Sequence, residues 1–436
     1  MTRSFARAIA ALVCITASAC SNGALPPESP GSTTPAVSFA QQLLAAPKRR
    51  LCPDALPGEF QCHGIVNELT IDIADRHKSC LHLPGCYAPS DLQTAYGIVR
   101  PAIYRGKSMT VALVDAYGYA SAARDNARFR RVFRLPACQR SCFEVIGQTG
   151  GPPPAAQDPG WDFEQAIDVD MVSAICPNCR IVLVEATTPQ TSDFVTAELT
   201  AFKLAHVVSN SWGGPEAYSS GGPFDHHPGI VVTASSGDSG AGSNFAGSQA
   251  SAQQPCSFVG VVCVGGSSLV LRNGRRIHEV VWDDLIVRQC TSGPCATGSG
   301  CSSLVAKPSW QHDKGCTGRS ETDLSADADP NTGVLVAYAG QFYSAGGTSV
   351  SSPMIAAMYA LAGNTSAAAP ARIWAAGANK RSGAFNPVTS GSNELGAVGT
   401  FVCGPAILYI CEAGTGMNGT YSGPTGWGTP TGLSAL

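Results

Sequence analysis

The sequence predicts an α/β domain built around a mainly parallel β-sheet. It contains short apolar runs rich in β-branched residues, each closed by small residues, and helical patterns lie between these runs. Strands of a parallel sheet are covered on both faces and therefore read as continuous apolar runs. In such folds the functional residues gather at the carboxyl ends of the strands.

The predicted elements follow one another along the middle of the chain. The strands are expected at residues 108–118 ("SMTVALVDAYG"), 179–186 ("CRIVLVEA"), 205–213 ("AHVVSNSWG") and 229–240 ("GIVVTASSGDSG"). Helices are expected at residues 163–175 ("FEQAIDVDMVSAI") and 192–205 ("SDFVTAELTAFKLA"). The polar or aromatic residues that stand at strand ends are Asp115, Ser209, Trp212 and Asp238. We therefore expect the functional site near these residues.

The first part of the chain predicts export. Residues 1–19 carry two arginines, then an apolar stretch too short to span a bilayer, then small residues, which is typical of a secretory signal. Cleavage before Cys20 would leave a cysteine that could be lipidated. Residues 20–86, with scattered proline and cysteine, predict an N-terminal extension or tether. Residues 87–436 are long enough to form one large domain.

The cysteine content agrees with export into an oxidising compartment. Of 18 cysteines, Cys14 and Cys20 belong to the signal region, which leaves an even number for disulfides. Pairs close in sequence predict the bridges Cys52–Cys62, Cys80–Cys86, Cys138–Cys142, Cys256–Cys263 and Cys403–Cys411. The "CPNC" of Cys176 and Cys179 predicts a structural disulfide; a redox pair, or half a zinc site with Cys138 and Cys142, are the alternatives.

The charge of the chain argues against a nucleic-acid partner. The net charge is −3 and only 14% of residues are charged, so no basic surface is expected. Beyond the signal, no apolar run is long enough to cross a membrane. We expect a monomer that is soluble or tethered at Cys20.

The predicted helix at residues 163–175 carries an unusual acidic pair. Glu164 and Asp168 are spaced i, i+4 and share one face, where two like charges repel. Acids near a helix N-terminus are partly stabilised by its dipole, so a solvated acidic face is one interpretation. Asp170 points elsewhere and is not part of the pair.

Ser349 stands where a second helix begins. In "GGTSVSSP" (residues 346–353) two glycines precede the hydroxyl residues, and an alanine-rich apolar run follows. The segment suits a simple helix cap, and it also suits a hydrolase nucleophile held at a glycine-rich turn. A serine nucleophile needs a base, but no histidine of this chain has the setting expected for one. We interpret the eight histidines, including His226 and His227, as surface residues.

Four motifs in order carry a family resemblance. They are "FEQAID" (163–168), "SNSWGGPE" (209–216), "SSGDSG" (235–240) and "GGTSVSSP" (346–353). Together they resemble the sedolisin family of serine-carboxyl peptidases, and the similarity extends from residues 87–98 to residues 423–432. The resemblance implies a subtilisin-like α/β fold and an exported endopeptidase that acts on proteins or peptides at acidic pH.

The resemblance also implies roles for individual residues. Ser349 would be the nucleophile, Glu164 its base and Asp168 the partner that orients Glu164. Asp238 would donate a hydrogen bond to the oxyanion, for which it must be protonated. Taken alone, Asp238 is also a normal turn residue. Because close carboxyls share a proton, we expect a pH optimum at about 3 to 5 unless burial raises the carboxyl pKa values.

The same comparison of motifs suggests the substrate cleft. "SNSWGG" resembles the segment along which an extended peptide adds as a strand, so we predict that Ser211, Trp212 and Gly213 contact the substrate. Asp115 ends a strand like a subtilisin aspartate, but the residues after it favour a structural role.

Two departures from the family pattern matter. The residues between the signal and residue 87 are too few for the family's large prodomain, so activation by removing such a domain is not expected. After Ser349 the only acidic residues are Glu394 and Glu412, and Pro387 and Gly428 stand where relatives tend to have aspartate. Members of the family often bind calcium near the C-terminus, and a calcium ion needs several carboxylate oxygens, so we predict no metal or other cofactor.

The alternative functions are a non-catalytic surface or binding protein that retains the fold, and a histidine-based serine hydrolase.

Overall fold

The computed structural model describes residues 38–73, 80–138, 142–241, 252–272, 274–284, 290, 295–394 and 403–436. The predicted signal sequence and Cys20 lie outside the described residues. Among the helices that are described, none is long and apolar enough to cross a membrane.

Helices and strands alternate through the first half of the domain. The α-helices are α1 (Phe39–Ala45), α2 (Pro89–Ala95), α3 (Val99–Tyr104), α4 (Ala122–Val132), α5 (Pro159–Ile175), α6 (Thr191–Leu204), α7 (Thr348–Ala362) and α8 (Ala369–Ala378). The first strands are β1 (Lys48–Arg50), β2 (Gln61–Cys62), β3 (Ile65–Asn67), β4 (Thr110–Ala116), β5 (Phe143–Gly147), β6 (Arg180–Ala186), β7 (Val207–Asn210), β8 (Trp212–Pro215), β9 (Val231–Ser235) and β10 (Ser239–Ala241).

The second half contains further strands, most of them before α7 and the last two after α8. They are β11 (Gln253–Gln254), β12 (Val261–Arg272), β13 (Arg275–Val281), β14 (Ala296–Ser299), β15 (Cys301–Ala306), β16 (Gly318–Ser320), β17 (Leu324–Asp327), β18 (Val334–Tyr338), β19 (Gln341–Gly346), β20 (Phe385–Asn386) and β21 (Thr429–Pro430).

A large sheet forms the centre of the domain. Its strand order is β13-β12-β9-β7-β4-β6-β5, and β17 also pairs with β12. All neighbours pair in parallel except β12 with β13, which are antiparallel. This confirms the predicted α/β fold with a mainly parallel sheet. Every residue of β4 and of β9 is buried, as expected for strands covered on both faces.

The predicted elements are present, with two informative differences. Helix α5 begins at Pro159, earlier than predicted, because the Asp158 carboxylate caps it by accepting from the amides of Gly160 (2.7 Å) and Trp161 (3.1 Å). The strand predicted at residues 205–213 is broken at Ser211 into β7 and β8. Strand β7 stays in the central sheet, whereas β8 leaves it and lies between β11 and β2.

Residues of the predicted extension pair with strands of the domain. Strands β1 and β3 join β19 and β18 in an antiparallel four-stranded sheet. Strand β2 pairs with β8, so that Gln61 lies opposite Gly213 and Cys62 opposite Trp212. The chain between β2 and β3 therefore passes the point where β8 leaves the central sheet.

Eight disulfides are present among the described residues. Those predicted from close spacing are Cys52–Cys62, Cys80–Cys86, Cys138–Cys142, Cys176–Cys179, Cys256–Cys263 and Cys403–Cys411. Two more, Cys290–Cys295 and Cys301–Cys316, were not predicted. Because Cys138, Cys142, Cys176 and Cys179 are all oxidised, none of them offers a thiolate to zinc.

Candidate active site

Helix α5 and strand β4 bring three carboxyl groups together. Glu164 and Asp168 lie one turn apart on α5, Asp115 lies near the end of β4, and all three are buried. Burial raises the pKa of Glu164 well above its usual value, and the neighbouring Asp115 raises it further. Burial and then Asp115 act in the same way on the pKa of Asp168. Like charges this close cannot all ionise cheaply, so the cluster retains protons.

Asp168 is held by a hydrogen bond, and Asp170 faces another part of the fold. The Ser211 hydroxyl donates to Asp168 Oδ1 at 2.6 Å. The carboxylate of Asp170 instead accepts from the Asn126 side chain at 3.0 Å and from the Ala337 amide at 2.8 Å. Asp170 therefore points away from Glu164 and Asp168, as predicted.

Ser349 is the second residue of α7 and lies beside Glu164. Gly347 precedes the helix with φ of 93°, a conformation that glycine adopts without strain. The Ser349 hydroxyl donates to the Ser211 carbonyl oxygen at 3.3 Å. Among the described residues neither oxygen of Glu164 has a partner of full hydrogen-bond geometry. The Ser349 side chain is nevertheless near enough to lower the pKa of Glu164, against the larger effect of burial.

Asp238 lies between β9 and β10 and binds the first turn of α7. Its Oδ1 accepts from the Thr348 amide at 2.7 Å and from the Thr348 hydroxyl at 2.8 Å. Its Oδ2 has no hydrogen-bond partner in the part of the chain that the structure describes. Burial raises the pKa of Asp238 to about 7, although the bonds from Thr348 oppose the shift. In acid this carboxyl is therefore neutral and can donate a hydrogen bond from Oδ2.

The interpretation of the histidines as surface residues is wrong for two of them. His227 is buried, with Nδ1 3.0 Å from the Ile230 carbonyl oxygen, whereas His226 is exposed. His63 is also buried, and its Nδ1 lies 2.7 Å from the Ser235 hydroxyl. Burial, followed by the nearby positive charge of Arg50, lowers the pKa of His63 to about 3. No motif around His63 indicated this position, because only tertiary contacts create it.

The predicted cleft residues lie in and beside β8. The Trp212 indole donates to the Val114 carbonyl oxygen at 2.7 Å, and its ring packs on Phe194 at a centroid distance of 4.2 Å. It therefore supports the site from inside the core. Gly213 faces His63, because a Cβ on this glycine would stand 2.7 Å from His63 Cε1. The edge of β8 is paired with β2 of the same chain.

The structure thus brings the four predicted catalytic residues to one place. Glu164 and Asp168 come from α5, Ser349 from the first turn of α7, and Asp238 from the loop after β9. Asp115, which the sequence assigned to a structural role, adds a third carboxyl to the pair. The position of Asp115 near the end of a predicted strand was the feature of the sequence that could have identified it as part of the site.

Comparison with known proteins identifies the family. The model of the subtilase family matches residues 156–377, just over half of the chain, including Glu164, Asp168, Asp238 and Ser349. The chain belongs to the subtilase family. Its curated relatives within the subtilases are sedolisins, which confirms the resemblance seen in the motifs.

Two relatives define how far the similarity extends. This subtilase is 30% identical over 304 residues to kumamolisin from Bacillus sp. strain MN-32, which covers 64% of this chain and 52% of the relative. It is 33% identical over 189 residues to sedolisin from Pseudomonas sp. strain 101, covering 42% of this chain and 29% of the relative. The chain therefore spans about half or less of the length of these relatives.

A solved structure agrees with the fold. Pseudomonas sedolisin, a serine-carboxyl proteinase complexed with two molecules of pseudo-iodotyrostatin, superimposes with a TM-score of 0.65 at 24% identity. The match covers 80% of this subtilase and 97% of the sedolisin chain. The predicted subtilisin-like α/β fold is thereby confirmed.

Proposed function

We propose that this subtilase is a serine-type endopeptidase that hydrolyses peptide bonds of proteins or peptides at acidic pH. Ser349 would be the nucleophile, Glu164 the base, Asp168 its orienting partner and Asp238 the oxyanion donor. The observation that carries the proposal is the position of Asp238. Its Oδ1 is fixed to Thr348, next to the nucleophile, and its buried Oδ2 has no partner among the described residues.

The reaction follows from these positions. Ser349 Oγ attacks the substrate carbonyl carbon while its proton passes to Glu164. The negative oxygen that forms is stabilised by the neutral Asp238 carboxyl and by the Ser349 amide. Glu164 then gives its proton to the leaving nitrogen, and water hydrolyses the acyl-enzyme through the same groups. Asp168, whose pKa is raised by burial, by Asp115 and by the charge of Glu164, would share a proton with Glu164.

Acidic conditions fit this chemistry. Asp238 is a donor only while it is protonated, and its pKa of about 7 means that the donor is lost as the pH rises through neutrality. Glu164 needs at least partial ionisation of the carboxyl cluster to accept a proton. The eight disulfides favour a protein that works in an oxidising compartment outside the cytoplasm.

Replacement of the nucleophile tests the proposal. Ser349→Ala should abolish hydrolysis of a denatured protein at acidic pH and leave the melting temperature close to that of wild type. Ser351→Ala is the matched control, since Ser351 lies in the same turn but donates to the Thr348 carbonyl oxygen at 2.9 Å. It should retain hydrolysis.

The alternatives predict different results. Turnover by pure Ser349→Ala protein would remove Ser349 from the mechanism. Wild-type protein that binds peptides at acidic and neutral pH without cutting them would favour the non-catalytic binding protein.

A further inference from the structure

Helix α3 exposes its large apolar residues instead of burying them. Val99 is 43% exposed, Ile103 57% and Tyr104 71%. The buried residue of this helix is Ala102. Val99 and Ile103 are spaced i, i+4, so they lie on one face of the helix, and their exposure shows that this face points away from the domain. Single exposed apolar residues are common, but several together mark a surface that contacts a partner or a membrane.

The charged residues around this apolar patch are all cations. Arg100 lies on the helix, Arg105 and Lys107 follow it directly, and all three are exposed. Residues 99–109 contain no acid. The chain as a whole has a net charge of −3, so the positive charge here is a local feature. Such a surface attracts negatively charged groups.

The segments that contact α3 do not neutralise these cations. Residues 172–180 bond to the end of the helix and residues 360–372 to the loop after it, and neither segment contains an acid. Helix α2 also packs against α3. The acid of α2 is Asp91, which is buried and lies 2.8 Å from His82 Nδ1. It therefore offers no negative charge to the exposed cations of α3.

A loop of the core fixes the exposed helix in place. The side-chain nitrogen of Asn178 lies 3.1 Å from the carbonyl oxygen of Ala102, 3.0 Å from that of Ile103 and 3.3 Å from that of Arg105. It thereby provides a donor for carbonyl groups that the end of a helix leaves unpaired. Asn178 belongs to the "CPNC" loop, which the Cys176–Cys179 disulfide closes. The apolar patch is consequently presented to solvent on a fixed support.

The patch lies at the opposite ends of α5 and α7 from the candidate active site. Arg105 Nη1 donates to the Leu361 carbonyl oxygen at 3.3 Å, near the end of α7, and Asn178 follows the end of α5. Glu164 and Ser349 lie near the beginnings of these helices. Because an α-helix rises about 1.5 Å per residue, Leu361 lies about 18 Å along α7 from Ser349. A body bound at α3 therefore leaves the candidate active site accessible.

We propose that this surface docks the protein on a bilayer that contains anionic phospholipid. The α3 surface, as we call it, consists of Val99, Arg100, Ile103, Tyr104, Arg105 and Lys107. Interfacial helices bury their apolar face at the level of the lipid headgroups, where tyrosine is enriched, and nearby cations bind anionic headgroups. A second copy of this chain is a poorer partner, because two α3 surfaces would bring like charges together.

Co-sedimentation of the full-length protein with vesicles tests the proposal. Vesicles of phosphatidylcholine alone are compared with vesicles that also contain phosphatidylglycerol, at low and at high salt. We expect binding to the vesicles with phosphatidylglycerol, and we expect high salt to weaken it because salt screens exposed charges. Equal binding to phosphatidylcholine alone would overturn the anionic bilayer as the partner.

Replacement of the apolar residues tests the helix itself. The double variant Ile103→Ser/Tyr104→Ser should weaken binding to the phosphatidylglycerol vesicles by about 10-fold or more. Leu56→Ser is the matched control, because Leu56 is 64% exposed but lies beside the start of α6, where the Gly58 carbonyl oxygen accepts from the Thr191 amide at 3.0 Å. Leu56→Ser should bind like wild type. All the replaced side chains are exposed, so the melting temperatures should be equal.

Replacement of the cations tests the electrostatic part. Arg100→Ser/Lys107→Ser should weaken binding by about 5-fold for each cation lost. Arg124→Ser is the control, because the Arg124 side chain is 75% exposed but lies in the first turn of α4, which follows the carboxyl end of β4. An equal loss for each cation removed, in Arg124→Ser as well, would mean that only the total charge matters and would overturn α3 as the docking site.

The remaining outcomes are equally decisive. Wild type that does not bind phosphatidylglycerol vesicles at low salt overturns the proposal. Binding that is unchanged in both double variants places the contact elsewhere in the chain and overturns it too. A wild-type dimer that Ile103→Ser/Tyr104→Ser abolishes would show that a second copy covers the surface instead. None of these results bears on the proposed peptidase function, because hydrolysis of a denatured protein is measured separately, without vesicles.

Discussion

In the proposed mechanism, two carboxyl residues of this site need opposite protonation states, and their surroundings differ. Glu164 must accept a proton, and it belongs to a cluster with Asp168 and Asp115 that can hold charge and protons together. As the proposed oxyanion donor, Asp238 must remain neutral; it lies outside α5 and β4, and one of its oxygens accepts from the Thr348 amide and hydroxyl. The proposed base and the proposed oxyanion donor can thus both be carboxylic acids.

Substitution of Asp238 should separate hydrogen bonding from titration. Asp238→Asn keeps a donor that cannot ionise, so it should be less impaired than Asp238→Ala, which should lose a factor of about 10² to 10³ in kcat. The alkaline limb of the pH–rate profile should move upward in Asp238→Asn. Equal loss in both variants, with the limb unmoved, would exclude Asp238 as the donor.

Asp115 should set the position of the acid limb. It raises the pKa values of Glu164 and Asp168, so Asp115→Asn should lower both. The acid limb of the profile should then move to lower pH, as measured by kcat/KM on one peptide. An unchanged limb accompanied only by a lower melting temperature would give Asp115 the structural role that the sequence suggested.

Residue types and spacing made part of the site predictable. Glu164 and Asp168 share a helix face by their i, i+4 spacing, and Ser349 and Asp238 stand in glycine-rich turns at element ends. His63 could not be predicted, because its burial depends on contacts with Ser235, 172 residues away. Asp115 can be recognised in the sequence as an aspartate at a strand end. Its proximity to Glu164 and Asp168 on α5 cannot.

At the scale of elements, α5, α7 and β8 position the side chains of the candidate active site. The sequence predicted α5 and the start of α7 because apolar periodicity and turn residues are local signals. It did not predict the break at Ser211, where β8 turns away from the central sheet to pair with β2 and β11. Such pairing joins segments far apart in sequence, and no local pattern specifies it.

The loops after α7 should not depend on calcium. Glu394 and Glu412 are the only acids of that region, and Glu394 already accepts from the Cys403 amide at 3.2 Å. We expect a chelator to leave the melting temperature unchanged. A large decrease that added calcium reverses would reveal a site built from other ligands.

At the scale of the whole molecule, buried acids should make the protein more stable in acid than at neutral pH. Burial raises the pKa of Glu198 to about 8 and those of Glu185, Asp238 and Asp284 to about 7. Their pKa values in the unfolded chain are near 4, so the folded state binds more protons between these limits.

The raised carboxyl pKa values make the folded state less stable as the pH rises. The stability from these groups is fully present below about pH 4 and is lost as the pH rises through their folded pKa values. His63 acts in the opposite direction, because its folded pKa of about 3 lies below its unfolded value, but it is one group against several. The melting temperature should be higher at about pH 4.5 than at about pH 8. A maximum at or above neutrality would contradict this balance.

The pH–rate profile of the wild-type protein tests the proposed carboxyl mechanism most directly. We predict that kcat/KM on a peptide substrate forms a bell on the acid side of neutrality. Its alkaline limb should fall as the pH rises through about 7, where Asp238 ionises, and its acid limb should report the Glu164–Asp168 cluster. A rate that instead rises through about 6.5, the ordinary pKa of histidine, and peaks near about pH 8 would indicate a histidine base and contradict the assignment of Glu164.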